Sequence, residues 1–155
     1  MRQFGRHTNN KFMANKVTFM GIKFDSLYER DFYIRLLGLQ KEGKISGLRL
    51  QTPFLLIPRT TKIASTQLKT KVRYDERVVE MEAWYHNDFT YYDHEKNVYV
   101  CCEYKSAMTS KLRDYILRRK LMVRKIYEHN AKGRSQWVFR EVVYFNKRKT
   151  IITDK

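Results

Sequence analysis

The sequence predicts a mixed α/β domain in which a central mixed β-sheet is flanked by two main helices. Three observations predict it: a capped helical stretch from Ser26 to about Glu42, a second long helical stretch from about Lys111 to His129, and short strand-like runs bounded by turn residues everywhere else. With 155 residues, 43% of them hydrophobic and 14% aromatic, the chain holds enough apolar material for one proper core. We therefore read residues 17–155 as a single domain, preceded by a basic, flexible arm over 1–16 that carries Arg2, Arg6, Lys11 and Lys16.

Charge is the unusual feature. Thirty-two Lys and Arg stand against 16 Asp and Glu, a formal net charge of +16. A polyanionic partner is the first explanation, because neutralising phosphates with Lys and Arg drives sequence-independent nucleic-acid binding. A merely soluble basic protein is the plainer alternative. The two cysteines, Cys101 and Cys102, are adjacent, which is poor geometry for a disulfide, and no Cys/His spacing suggests zinc. Residues 1–15 lack the apolar run of a signal peptide, and no run of about 18 apolar residues could span a membrane. The expectation is a cytoplasmic protein.

In chain order, Val17 to Phe24 reads as a short hairpin turning at Gly21. Ser26-Leu27-Tyr28-Glu29 has the pattern of a capping box, and Gly43 closes the helix that follows. Its inward stripe holds Glu29, Phe32, Tyr33, Leu36, Leu37 and Gln40. Leu48 to Gln51 and Phe54 to Ile57 read as strands, separated by Pro53. Residues 59–71 suggest a basic loop or exposed hairpin, and Val72 to Tyr92 is rich in strand formers. The second helix, with Thr109 or Ser110 as its cap, has an inward stripe of Leu112, Tyr115, Ile116, Met122, Val123, Ile126 and Tyr127. Its remaining surface carries Lys111, Arg113, Arg118, Arg119, Lys120, Arg124 and Lys125, a one-signed face suited to DNA phosphates. Gln136 to Phe145 and Thr150 to Thr153 complete the strands.

The chemistry centres on Tyr99-Val100-Cys101-Cys102-Glu103-Tyr104-Lys105, an apolar strand that ends in Glu-x-Lys. Alternation puts Glu103 and Lys105 on one face. If Asp93 and Val98 face each other across the polar turn between them, the same register sets Asp88 opposite Glu103. Two carboxylates so placed repel unless a cation lies between them, and a divalent metal would serve. Asp88 read alone is a loop residue beside Asn87. Glu29, at the first-turn end of its stripe, needs a cap, a partner or a metal, and the capping box alone would account for it.

The order helix Glu29, strand Asp88, Glu103-Tyr104-Lys105, basic helix resembles the PD-(D/E)XK nuclease superfamily. The run from Gly21-Ile22-Lys23-Phe24-Asp25-Ser26-Leu27-Tyr28-Glu29 through Gly43-Lys44-Ile45 and Leu48-Arg49-Leu50-Gln51 to Pro58 is similar to small phage and prophage proteins of that superfamily, some described as endonucleases or Holliday junction resolvases. Where that family tends to have Gly after the Lys, this chain has Ser106. The resemblance implies a restriction-endonuclease-like core and a Mg²⁺-dependent endodeoxyribonuclease, with Mn²⁺ as a substitute, working in an infected or lysogenic bacterial host. It further implies that Asp88, Glu103, the Tyr104 carbonyl and Glu29, directly or through water, hold the metal, while Lys105 orients the attacking water. It implies branched DNA as substrate and a homodimer as the working unit. A transposase-type or restriction-type cutter fits nearly as well. The rival from another class is a non-catalytic nucleic-acid-binding protein, which gains nothing from carboxylates converging within a basic surface.

Overall fold

The computed structural model describes residues 16–133, 135–146 and 149–155, so the basic arm expected over 1–16 lies, apart from Lys16, outside the described residues. The backbone forms two compact units that part between Gly43 and Lys44. The sequence reading carried one domain across that point. The boundary falls where Gly43, with φ of 72°, ends a helix in a left-handed turn that glycine adopts without strain.

The first unit is a hairpin and a helix. Strands β1 (Val17–Phe19) and β2 (Ile22–Phe24) pair antiparallel, and Met20 and Gly21 between them both have positive φ, as a two-residue hairpin turn requires. Helix α1 (Leu27–Lys41) starts at Ser26, whose Oγ accepts from the Glu29 N–H at 3.1 Å. Tyr33 and Leu36 are its buried residues, and the Tyr33 ring packs against Phe24 at 5.3 Å between centroids. Gln40, expected on the inward stripe, is exposed.

The second unit runs β3 (Ile45–Leu50), β4 (Pro53–Ile57), β5 (Thr60–Gln67), β6 (Val72–Glu80), β7 (Ala83–His86), β8 (Phe89–Asp93), β9 (Val98–Ser106), a 3₁₀ turn (Thr109–Lys111), α2 (Arg113–Asn130), β10 (Trp137–Asn146) and β11 (Lys149–Asp154). The chain is thus mixed α+β, as predicted. Five strands make the main sheet in the order β11-β10-β9-β8-β3, with β9 and β10 parallel and the other neighbours antiparallel. A parallel neighbour needs a crossover, and α2 supplies it between β9 and β10. Its buried Met122 and Ile126 join Tyr85, Cys101 and Phe139 in the core, with Phe54, Leu56, Val123 and Trp137 packed against them. β4 pairs with β7, and β5 with β6 forms the exposed hairpin anticipated near residues 59–71.

Two details of α2 differ from expectation. Thr109 and Ser110 do not cap it: Ser106 Oγ accepts from the Thr109 N–H at 3.1 Å, the chain closes into the 3₁₀ turn, and the helix begins after Leu112 with no side-chain cap. Tyr127, assigned to the inward stripe, is 66% exposed, because the buried residues follow the line Tyr115, Met122, Ile126.

At the sheet edge Arg140 grips Asp154 with both arms of its guanidinium, at 2.7 and 2.9 Å, and Lys96 reaches the same carboxylate at 2.7 Å. These bonds, Arg140's first, hold the Asp154 carboxyl down at about 2 against the opposing effect of burial. Because the folded value lies below the ordinary 3.8, the stabilisation is fully present above about pH 4 and is lost as pH falls through about 2. Asp154→Asn is expected to lower the unfolding free energy at pH 7 by about 1 kcal/mol, screening by water having been allowed for. The difference from wild type should vanish near pH 2 in urea titrations run across the acid range.

Candidate functional site

The site is set by a turn. Asp93 Oδ1 accepts from the N–H groups of Glu95 and Lys96 at 3.2 and 3.1 Å, and Asn97 takes a φ of 55° to bring the chain back. The register follows, with Asp93 opposite Val98 and Phe89 opposite Cys102. Asp88, the residue before β8, therefore arrives beside Glu103. Its approach is fixed by Asn87, fully buried, whose side-chain amide donates to the Phe89 carbonyl and to Thr90 Oγ1, and by the Gln51 N–H, which donates to the Asp88 carbonyl at 3.2 Å.

Asp88, Glu103 and Lys105 converge. Asp88 Oδ2 accepts from the Tyr104 N–H at 2.7 Å and from Lys105 Nζ at 3.2 Å, and Lys105 Nζ lies 2.5 Å from Glu103 Oε1. The cation between the two carboxylates is thus the Lys105 ammonium. Glu103 is only 4% exposed, and its second oxygen, Oε2, is buried without a hydrogen-bond partner among the described residues. Burial, with the Asp88 charge adding to it and Lys105 opposing, pushes the Glu103 carboxyl up to about 7. For Lys105, burial favours the neutral amine, but the combined pull of Asp88 and Glu103 outweighs it and raises the ammonium above the lysine range.

A further carboxylate stands in the same row. Parallel pairing of β9 with β10 puts Glu141 directly beside Glu103. Glu141 Oε1 accepts from Tyr115 Oη at 2.7 Å and from Arg119 Nη1 at 2.6 Å, and Lys155 Nζ meets Oε2. Burial alone would raise its pKa, yet the bonds from Lys155, Tyr115 and Arg119 bring it below the usual carboxylate value. Tyr115 links the two acids, since Lys105 and Arg119 both lie over its ring, at 5.7 and 5.6 Å from the centroid. Tyr85 is buried next to this group, and burial followed by the Glu103 charge pushes its phenol far up.

Sequence reasoning missed Glu141 and Asn87, placed Tyr115 correctly on the inward stripe but gave it no part in the site, and misplaced Arg119, which it assigned to the outward basic face. Arg119 follows Tyr115 by four residues and precedes Met122 by three, so the helical period itself puts it on the buried line. Of the other basic residues, Lys111, Arg113 and Lys120 are exposed, Lys125 is half-buried, and Arg118 and Arg124 pair with Asp114 and Glu128 one turn away at 2.9 and 2.8 Å.

Glu29 belongs to the first unit, at the first turn of α1. Its carboxylate accepts from the Asp25 N–H at 3.1 Å, so the capping part of the sequence reading describes what it does locally. No group of three or more His, Cys, Asp or Glu placed to hold a metal occurs among the described residues. The pair Asp88 and Glu103 nevertheless fits a hard cation in kind: both ligands are carboxylates, and the buried Glu103 Oε2 makes no hydrogen bond of ordinary geometry among the described residues, the Tyr85 hydroxyl lying beside Glu103. Tyr104 engages Asp88 through its N–H. Cys101 and Cys102 are reduced and buried, with thiols pushed far up by burial, which removes them as nucleophiles. Among the described residues no helix is long and apolar enough to cross a membrane.

The chain matches the family described as "Protein of unknown function (DUF1064)" over residues 9–146, and it belongs to that family. No curated protein and no solved structure matches it.

Proposed function

We propose that the protein is a Mg²⁺-dependent endodeoxyribonuclease of the PD-(D/E)XK superfamily, acting in the cytoplasm as a homodimer on branched DNA. The observation that carries this reading is the convergence of Asp88, Glu103 and Lys105, with a buried, unpartnered Glu103 oxygen, within a chain of net charge +16. A protein that only binds nucleic acid has no need of a buried carboxylate held beside a second one.

Asp88 and Glu103 would hold Mg²⁺, with the Tyr104 carbonyl as a further oxygen ligand. The ion supplies charge neutralisation at the phosphorane-like transition state and a lowered pKa for the attacking water. Lys105 Nζ, within reach of Asp88 Oδ2 and Glu103 Oε1, would orient the water and balance the scissile phosphate. Glu141 keeps Tyr115 in place under Lys105, a positioning role. Lys111, Arg113 and Lys120 grip phosphates without reading bases. Two symmetric cuts across a junction ask for two sites, which a homodimer provides.

The test is cleavage of labelled four-way junction, flap, linear duplex and single-stranded DNA with Mg²⁺, Mn²⁺ or EDTA. Metal-dependent junction cutting is the expected result. Cutting only flaps or duplex keeps the nuclease and replaces the junction by another substrate, as a restriction-type or transposase-type cutter would. DNA bound but uncut under every metal would leave the binding protein, with Lys105 as the permanent counter-ion of Asp88 and Glu103.

A further inference from the structure

We propose that a cleft at the other end of the main sheet binds an unpaired nucleobase by stacking. The cleft has a volume of about 700 Å³, within the ~300–1,000 Å³ typical of small-ligand sites, and is lined among others by Tyr92, Tyr99, Trp137, Arg49, Asn97 and Gln136. Three of these are one aromatic ladder: Tyr92 and Trp137 are the register partners of Tyr99 on either side, across β8, β9 and β10. Tyr99 stacks on Trp137 at 4.9 Å with 20° between the planes, and Tyr92 meets Tyr99 edge-on at the same distance.

Core packing accounts for one rung of the ladder, Trp137, which packs against the core beside Phe54, but not for Tyr99. Tyr99 is 40% exposed, whereas Cys101, two residues along the same face, is fully buried. The Trp137 ring is held in advance: its backbone exchanges two hydrogen bonds with the Asn130 side chain, both 2.9 Å, and its indole N–H donates to Ser135 Oγ at 3.1 Å. Around this rigid platform the exposed side chains of Arg49, Asn97 and Gln136 make no hydrogen bond or ion pair among the described residues. Two side-chain amides, each both donor and acceptor, match the edge of a base. The stacked rings match its face, and Arg49 matches the phosphate. A lipid would use the rings but not the amides, an acidic peptide would not need the stack, and the net charge of +16 favours a phosphate-bearing ligand over a neutral sugar.

The platform shares its sheet face with Glu103, ~13 Å away along β9, with the buried layer of Cys101 and Phe139 between them. The inference deepens the nuclease reading by giving unpaired nucleic acid a place on the protein, and it requires no cleavage. The base could come from a single strand or a free mononucleotide, so both are tested.

In full-length Trp84→Phe protein the remaining indole is Trp137, and its emission is expected to be quenched by a (dT)₁₀ strand. Tyr99→Ala should weaken (dT)₁₀ binding roughly tenfold while duplex affinity stays within twofold. Quenching by dAMP as well as by (dT)₁₀ would support the site and make a free nucleotide its ligand; quenching by the strand alone would support it and make the ligand part of a strand. Unquenched Trp137 at saturating DNA overturns the proposal, as does unchanged (dT)₁₀ affinity in a Tyr99→Ala protein whose circular dichroism matches wild type. Quenching without metal-dependent cleavage would defeat the nuclease reading alone, and cleavage without quenching would defeat the stacking site alone.

Discussion

Glu103→Gln should reduce Mg²⁺-dependent cleavage on the order of a thousandfold while leaving DNA affinity within about twofold. Glutamine keeps the shape of the side chain but replaces one oxygen with an NH₂ group that repels a cation. It also removes a charge that is 96% shielded from water and sits beside Asp88, so the variant should unfold no earlier than wild type without metal. Mg²⁺ should raise the Tm of the wild type and leave that of Glu103→Gln unchanged. Lys105→Met makes the contrast: it leaves Asp88 and Glu103 facing each other with no cation, so it should destabilise the protein in EDTA and recover stability with Mg²⁺. Wild-type cleavage rates in Glu103→Gln would remove the carboxylate pair from the chemistry altogether.

That pair was legible because its geometry is local. Asp93 and Asn97 announce a turn, a turn sets an antiparallel register, and the register carries Asp88 to Glu103 within about six residues on either side. What the sequence could not supply was the cation: alternation puts Lys105 on the same face as Glu103, but nothing in the spacing says that its ammonium folds back between the two acids. The capping box at Ser26 and Glu29 was legible for the same local reason. Glu141 was not. It reaches Glu103 through a parallel pairing that depends on the whole of α2 crossing between β9 and β10, and no turn residue records such a register. Arg119 escapes a reading that equates charge with exposure, although its spacing from Tyr115 and Met122 places it inward.

Glu141→Ala should therefore reveal how much of the site rests on a residue that no motif contains. The substitution strips Tyr115, Arg119 and Lys155 of their shared acceptor. Breaking a fully buried ion pair costs ~3–5 kcal/mol. Arg119 and Lys155 keep 21% and 29% of their side chains exposed and can rehydrate, so a loss of about 2–3 kcal/mol is expected, read from urea unfolding. The Tyr115 hydroxyl, whose residue is 3% exposed, has no such escape, and its ring should shift away from Lys105. A positioning role then predicts lower kcat with KM little changed on whichever DNA is cut, since Lys105 loses its support and the phosphate-gripping residues do not. Removing the charge together with its partner separates this from simple instability. Glu141→Leu combined with Arg119→Met should recover much of the lost stability by filling the space with apolar groups, and should leave kcat depressed. If kcat returns with the stability, Glu141 serves the fold alone, and the row of acids across β8, β9 and β10 is functional only at Asp88 and Glu103.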